Sequence, residues 1–357
     1  MSVEPKVGAR PPSAQAAAAD ERLVQVGIVT RLLRRPELGA LLGAIVVFVF
    51  FAVVADGFFE ASGAARFLDR AAPLGIVAVA VALLMIAGEF DLSAGVMTGS
   101  TALLVAILAT EVGLNIWVAI LLSLVFALAV GFLNGVMVIR TGLPSFIVTL
   151  ATFFVLRGTN LGVTKAVTDT VQVSGVDDAP GYESAHKVFA SSVGSAPSDF
   201  RITIFWWIAF AALATWILLR TRPGNWIFAA GGDARAARAV GVPASATKVA
   251  LFMATAVAAW FVGVTTAVRF TSVQAGQGVG EEFMYIIAAV VGGTLLTGGL
   301  GSAVGASFGA LIIGMAFTGI AFAGWNTDWQ WLFVGVLLLI AVLVNRYVRT
   351  KAEAARR

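Results

Sequence analysis

Apolar residues gather in long blocks along this chain instead of recurring at a strict helical or alternating period. The blocks fall at roughly 38–55, 72–88, 94–110, 115–139, 145–164, 202–219, 249–268, 283–297, 303–323 and 329–345. Each approaches the about 20 residues that carry a helix across a bilayer core. The pattern predicts an all-α polytopic membrane protein with about ten transmembrane helices. Several blocks are short, and those meeting around Gly88 and Gly298 read either as hairpins or as broken helices.

Composition agrees. Hydrophobic residues make up 59% of the 357 and charged residues only 12%, and mean hydropathy is +0.93, too apolar for the surface of a soluble domain. Cysteine is absent and His186 is the sole histidine, which argues against disulfides, thiolate or histidine metal sites and histidine-dependent triads. No catalytic or metal-ligating set is expected.

Charge placement sets the orientation. With the N-terminus inside, Arg66, Arg70, Lys165, Lys187, Arg201 and Arg269 fall outside, Arg157 falls within a span, and the other 17 of the 24 Lys and Arg are cytoplasmic. This bias predicts both termini in the cytoplasm. The divisions that follow are a disordered cytoplasmic tail over 1–37, a transmembrane region over 38–347 and a cytoplasmic tail over 348–357. Within the transmembrane region an external loop spans 165–201 and a cytoplasmic loop spans 220–248.

The cytoplasmic loop carries the most punctuated stretch of the chain. Asp233 can cap a helix, Gly241 can close it in the left-handed conformation, and Pro243 prevents continuation. About seven helical residues, roughly 10 Å of rod, lie between them. Arg235 and Arg238 share one face of that rod. Too short to be stable alone, it must lean on the membrane domain, another protein or lipid headgroups.

Other candidates lie inside the membrane blocks. Glu89, Asp91 and Ser93 sit between two apolar segments with no room for a loop. One reading makes them a substrate or proton site at a discontinuous helix; the other makes Asp91 and Ser93 caps of the next helix. Asn134 is a further pathway candidate. The pairs Gly95 and Gly99, Gly131 and Gly135, and the series Gly301, Gly305 and Gly309 present small residues along helix faces, a packing signature. Gly95 and Gly99 also echo Gly305 and Gly309, suggesting a weak parallel repeat. Glu281 and Glu282 suit a helix N-terminus, and Phe205-Trp206-Trp207 and Trp325 to Trp331 read as interfacial aromatic belts. No G-x-x-x-x-G-K followed by Ser or Thr occurs, so the chain has no P-loop of its own, and no surface suited to nucleic acid is apparent.

Taken in order, these motifs resemble a known family. Glu89-Phe90-Asp91-Leu92-Ser93-Ala94-Gly95, Asn134-Gly135, Pro144 through Leu150 with Arg157-Gly158, the Gly231 to Gly241 helix, and Ile287 through Thr294 with Gly298 through Ser302 are similar to the ribose/xylose-type permeases of bacterial ABC importers. The likeness covers about residues 40 to 345. Phe90 stands where that family usually has Ile, Asp233 where Asn is common, and Leu295-Leu296-Thr297 near a usual Ser-Leu-Ser.

The resemblance implies a multi-pass permease of the bacterial inner membrane, paired with a second copy and surrounded by lipid. It implies a cytoplasmic ATPase partner that binds the ATP and Mg, leaving this chain without a cofactor. It also implies an external or periplasmic binding protein that delivers a monosaccharide. In that scheme Asp233, Arg235, Arg238 and Gly241 form the helix that docks into the ATPase. A branched-chain amino acid or nucleoside cargo, a proton-coupled secondary transporter using Glu89 or Asp91, and a lipid-facing role for the short helix remain open alternatives.

Overall fold

In the computed structural model, residues 36–194 and 198–354 are described, with side chains from 37 to 344. Thirteen helices are present among them: α1 (Pro36–Val54), α2 (Ala61–Ile86), α3 (Ala94–Thr110), α4 (Ile116–Thr141), α5 (Ser145–Thr168), α6 (Tyr182–Phe189), α7 (Ile202–Arg220), α8 (Arg222–Gly232), α9 (Ala234–Ala239), α10 (Ala244–Phe270), α11 (Glu281–Val291), α12 (Ala303–Phe322) and α13 (Trp329–Ala354). Seven of them, α1, α2, α4, α5, α7, α10 and α12, are long and apolar enough to cross a membrane. The remaining three expected spans correspond to α3, α11 and the start of α13. The 11 residues of α11 rise only about 16 Å, half of a bilayer core of about 30 Å.

The chain is therefore a polytopic all-α membrane protein. The tail expected over 1–37 lies outside the described residues as far as 35, whereas the stretch expected as a tail over 348–357 begins as a continuation of α13.

Most of α2, α10 and α12 is buried within the bundle, while α1, α4, α5 and α7 each turn a broad apolar face outward. Leu121, Val125, Phe154, Val155, Leu213 and Leu219 are all more than half exposed, as lipid-facing residues should be. Small residues allow the central helices to approach closely. A side-chain carbon on Gly305 would overlap the carbonyl of Gly292, and one on Gly309 would overlap that of Ala288, so α12 lies directly against α11. In the same way Gly131 and Gly135 press α4 onto Phe252 and Val249 of α10, and Gly95 and Gly99 press α3 onto the Gln277–Glu282 segment. Gly301 packs against Ile86 and Thr294.

One helix starts well before its expected bound, and one aromatic residue lies elsewhere than expected. The second apolar block was expected from 72, but α2 begins at Ala61. Its polar first turns stay helical because Arg66 lies over Phe322 at 5.6 Å, Arg70 over Phe317 at 5.3 Å, and Asp69 pairs with Arg269. Trp207, expected in an interfacial belt, is 7% exposed. It fills the notch left by Gly75 of α2, where any side chain on residue 75 would collide with its ring.

Residues 169–201 carry structure of their own. β1 (Gln172–Ser174) pairs antiparallel with β4 (Ser272–Gln274), with Val173 opposite Val273, and β2 (Ser192–Val193) pairs with β3 (Phe200–Arg201). Between these strands α6 is moored to the bundle by Tyr182, whose hydroxyl donates to the carbonyl of Val268 at 2.9 Å, and by the Trp117 indole donating to Ser184 at 2.8 Å.

Candidate functional site at the helix breaks

Two stretches of non-helical backbone and the last turn of α8 meet where α2 ends. The N–H of Gly299 donates to the carbonyl of Ile86 at 2.8 Å, joining the segment between α11 and α12 to the segment between α2 and α3. Gly231, near the end of α8, lies against that same carbonyl so closely that no side chain could stand there. Gly88 and Gly298 face each other with φ of 84° and 80°, a left-handed conformation in which only glycine is unstrained. The two broken helices and the base of α9 thus share one junction.

The break between α2 and α3 is held by a hydroxyl-rich face of α5. The N–H of Phe90 donates to Ser145 and that of Leu92 to Thr149, each at 3.0 Å. Asp91, 2% exposed, accepts at one carboxylate oxygen from the N–H of Ser93 at 2.8 Å and from its hydroxyl at 2.6 Å. Ser93 occupies the N-cap position of α3, yet its side chain makes no capping bond to the helix because the hydroxyl is turned to Asp91. Asn134 of α4, 1% exposed, donates to Ser93 at 3.0 Å and accepts from Thr152 at 2.6 Å. Glu89 pairs with Lys248 of α10 at 2.5 Å. These bonds give the exposed backbone groups of the break the partners that hydrocarbon cannot supply.

Asp233 caps α9, accepting from the N–H groups of Arg235 at 2.8 Å and Ala236 at 3.0 Å. Those two bonds, together with the nearby Arg235 and Arg238 charges, hold its carboxyl below the usual carboxylate range. Gly241 follows α9 with φ of 84°, and the N–H of Val242 closes the turn on the carbonyl of Ala237 at 3.0 Å. Ala237 is the buried member of α9, while Arg235, Arg238 and Val240 face outward. Neither arginine forms an ion pair among the described residues.

Of the residues singled out in the sequence, Glu89, Asp91, Ser93 and Asn134 therefore gather around one break, and the Asp233 to Gly241 set stands beside it. The glycines sit in helix contacts. Glu281 and Glu282 separate: Glu282 turns back to accept from the N–H of Gly280 at 3.0 Å, whereas Glu281 lines a cavity at the other end of the bundle. Arg157 is exposed midway along α5.

Sequence reasoning gave no role to Ser145 and Thr149, although they lie in the Pro144 to Leu150 motif, and missed Thr152 and Lys248. The first three could have been found as hydroxyls recurring on one face of an apolar helix. It also missed Asp69 and Arg269, which are 200 residues apart and meet through two hydrogen bonds of 2.8 and 2.7 Å.

A bundle of membrane-crossing helices, two of them discontinuous, with a capped exposed helix seated on the breaks, defines the class of multi-pass membrane transport subunits. The family profile described as branched-chain amino acid transport system / permease component matches residues 63–342, and the chain belongs to that family. It is 31% identical to the probable ABC transporter permease protein YphD of Escherichia coli over 90% of this chain and 92% of that one. It is 29% identical to the ribose import permease protein RbsC of Escherichia coli, over 87% and 93% of the two chains. With the fructose import permease protein FrcC of Rhizobium meliloti the identity is 27%, over 85% and 83%. The family is one of ABC transporter permease subunits, not of enzymes.

Proposed function

We propose that this chain is the membrane-spanning permease subunit of an ATP-driven importer for a monosaccharide. The sugar would be delivered by an external binding protein, and the ATP and Mg would be held by a cytoplasmic ATPase partner. The relatives named for ribose and fructose support a sugar cargo. The proposed arrangement has two permease copies in lipid, ten crossings each, with both termini and α9 on the cytoplasmic side.

The observation that carries the mechanism is the junction of Gly231 with Ile86 and Gly299. α9 docks into the ATPase through Asp233, Arg235, Arg238 and Gly241. When ATP draws the two ATPase subunits together, movement of α9 passes through Gly231 into both helix breaks. Because packed helices shift as units between discrete arrangements, the pathway then changes the side to which it opens. Glu89 and Asp91 are each committed to a protein partner, which favours a structural role for them over that of a coupling proton carrier.

The test is co-purification of the tagged chain with its ATPase, followed by sugar-stimulated ATP hydrolysis. Arg238→Glu is expected to lose both association and stimulation while retaining the fold. Unchanged coupling in that variant, or solute uptake by the chain alone on a proton gradient, would refute the reading. The family's description as a branched-chain amino acid transport permease makes a branched-chain amino acid the second cargo to try, and competition between labelled leucine and labelled ribose separates the two.

A further inference from the structure

An open groove of about 680 Å3 runs along the outside of the bundle between α7 and the first half of α12. Ala211, Ala212 and Thr215 of α7 and Ser307, Phe308 and Leu311 of α12 line it. Its polar lining atoms are already committed. The hydroxyl of Thr215 donates to the carbonyl of Ala211 at 2.6 Å and that of Ser307 to the carbonyl of Ala303 at 3.0 Å, and the indole nitrogen of Trp207 is buried against Gly75. Along its length the groove therefore suits an apolar occupant.

Its two ends differ in charge and depth. At one end Trp207 packs on Gly75, near the middle of α2. At the other stands Arg220, followed after one residue by Arg222 at the start of α8. Both arginines are exposed, and neither forms an ion pair among the described residues. No acid occurs in the sequence between Asp199 and Asp233, and the N-terminus of α8 adds partial positive charge. The 13 residues from Trp207 to Arg220 rise about 20 Å, half the thickness of a bilayer of about 40–45 Å with its headgroups. The groove thus spans one leaflet, apolar over the depth of an acyl chain and basic at the level of a phosphate. A second copy fits this face poorly, because a two-fold contact here would set the arginines of both copies at one level with no acid to separate them. Basic pockets between helices at the cytoplasmic surface hold anionic lipid headgroups by the same electrostatics.

We propose that this groove is a binding site for one anionic phospholipid of the cytoplasmic leaflet, with an acyl chain between α7 and α12 and the phosphate held by Arg220 and Arg222. Bound there, the lipid anchors the first turn of α8, whose last turn meets Ile86 at the junction of the helix breaks. The choice of leaflet rests on the cytoplasmic placement of α9 proposed above; the groove and its basic end do not.

The chain has no cysteine, so one introduced thiol can carry a fluorophore without background. Ile208→Cys reports from the groove, and Leu121→Cys, on the exposed face of α4, reports on ordinary surrounding lipid. Each labelled protein is reconstituted with its partners in phosphatidylcholine vesicles containing graded amounts of phosphatidylglycerol or phosphatidylcholine brominated on the acyl chains. Brominated phosphatidylglycerol is expected to quench the Ile208→Cys label at a several-fold lower mole fraction than brominated phosphatidylcholine, and the two to act equally at Leu121→Cys. The preference is expected to disappear when Arg220→Gln and Arg222→Gln are added. Equal quenching by the two lipids at Ile208→Cys, or a preference that survives loss of both arginines, would overturn the site. Quenching at Leu121→Cys with none at Ile208→Cys would also overturn it, since protein and not lipid would then cover the groove. Orientation is read separately from Asn225→Cys in α8, which a membrane-impermeant maleimide should reach in inside-out vesicles and not in intact cells. Labelling in intact cells would overturn the proposed orientation and the choice of leaflet, whereas loss of the lipid preference with Asn225→Cys inside would overturn the lipid site alone.

Discussion

The ammonium of Lys248 lies 2.5 Å from the carboxylate of Glu89, and both side chains are largely buried, at 14% and 12% exposure. The pair joins the break after α2 to the first turns of α10, the helix that follows α9 in the chain. Removing one partner strands the other charge away from water, whereas removing both does not. Lys248→Met and Glu89→Gln are each expected to lower stability, and the double variant to recover part of the loss. Melting temperatures of the four proteins in one detergent should give a coupling energy of about 0.5–3 kcal/mol. Additive losses would show that the two groups act independently.

The neighbouring glycines of α8 make a controlled comparison. A side chain on Gly231 would overlap the carbonyl of Ile86, while one on Gly232 would meet nothing within 4 Å. Gly231→Ala should therefore cost about 1–3 kcal/mol through overpacking and impair transport, and Gly232→Ala should do neither. Thermal melting and vesicle uptake read the two effects separately. Equal behaviour of the two variants would contradict the close junction.

Asn134 supplies the buried amide between Ser93 and Thr152. Asn134→Leu keeps the volume but leaves two hydroxyls without this partner, a loss of about 1–3 kcal/mol. Asn134→Gln, which keeps the amide on a longer stem, is expected to retain more stability than Asn134→Leu. The order of their melting temperatures decides whether hydrogen bonding or mere packing holds the break.

The cap on α9 has a defined pH window. Because its folded-state pKa is lowered from the ordinary 3.8, the charged cap of Asp233 contributes stability above that value and loses it as pH falls through the lowered one. Binding of the proposed ATPase partner to α9 should consequently show no titration attributable to Asp233 between about pH 5 and 8. Asp233→Ala should weaken binding across that whole range. A midpoint near neutrality that vanished in Asp233→Ala would contradict the cap as the source of order in α9.

Much of this molecule is legible from its sequence because hydrocarbon is an intolerant solvent. Every backbone polar group in a span needs a partner, so a block of apolar residues can only be a helix, and α1, α4, α5, α7 and α12 begin and end close to their blocks. The cap and stop of α9 are equally local, since Asp233 and Gly241 act on the turns beside them. The Glu89 to Ser93 break declares itself because carboxylates are out of place between apolar segments.

Tertiary structure decided what those local features meet. Hydropathy placed the start of the second span after Arg66 and Arg70, whereas rings on α12 and the acid partner of Arg269 keep those turns helical. The partners of the break, Ser145, Thr149, Asn134 and Lys248, come from three other helices. The meeting of Gly231 with Ile86 and Gly299 likewise depends on how α8, α2 and the α11–α12 segment pack. Apolar pattern fixes which residues enter the membrane because transfer energy is a property of each segment alone. Which segments then touch depends on shape and hydrogen bonding between residues as far as 200 positions apart, as for Asp69 and Arg269, and no local pattern encodes that.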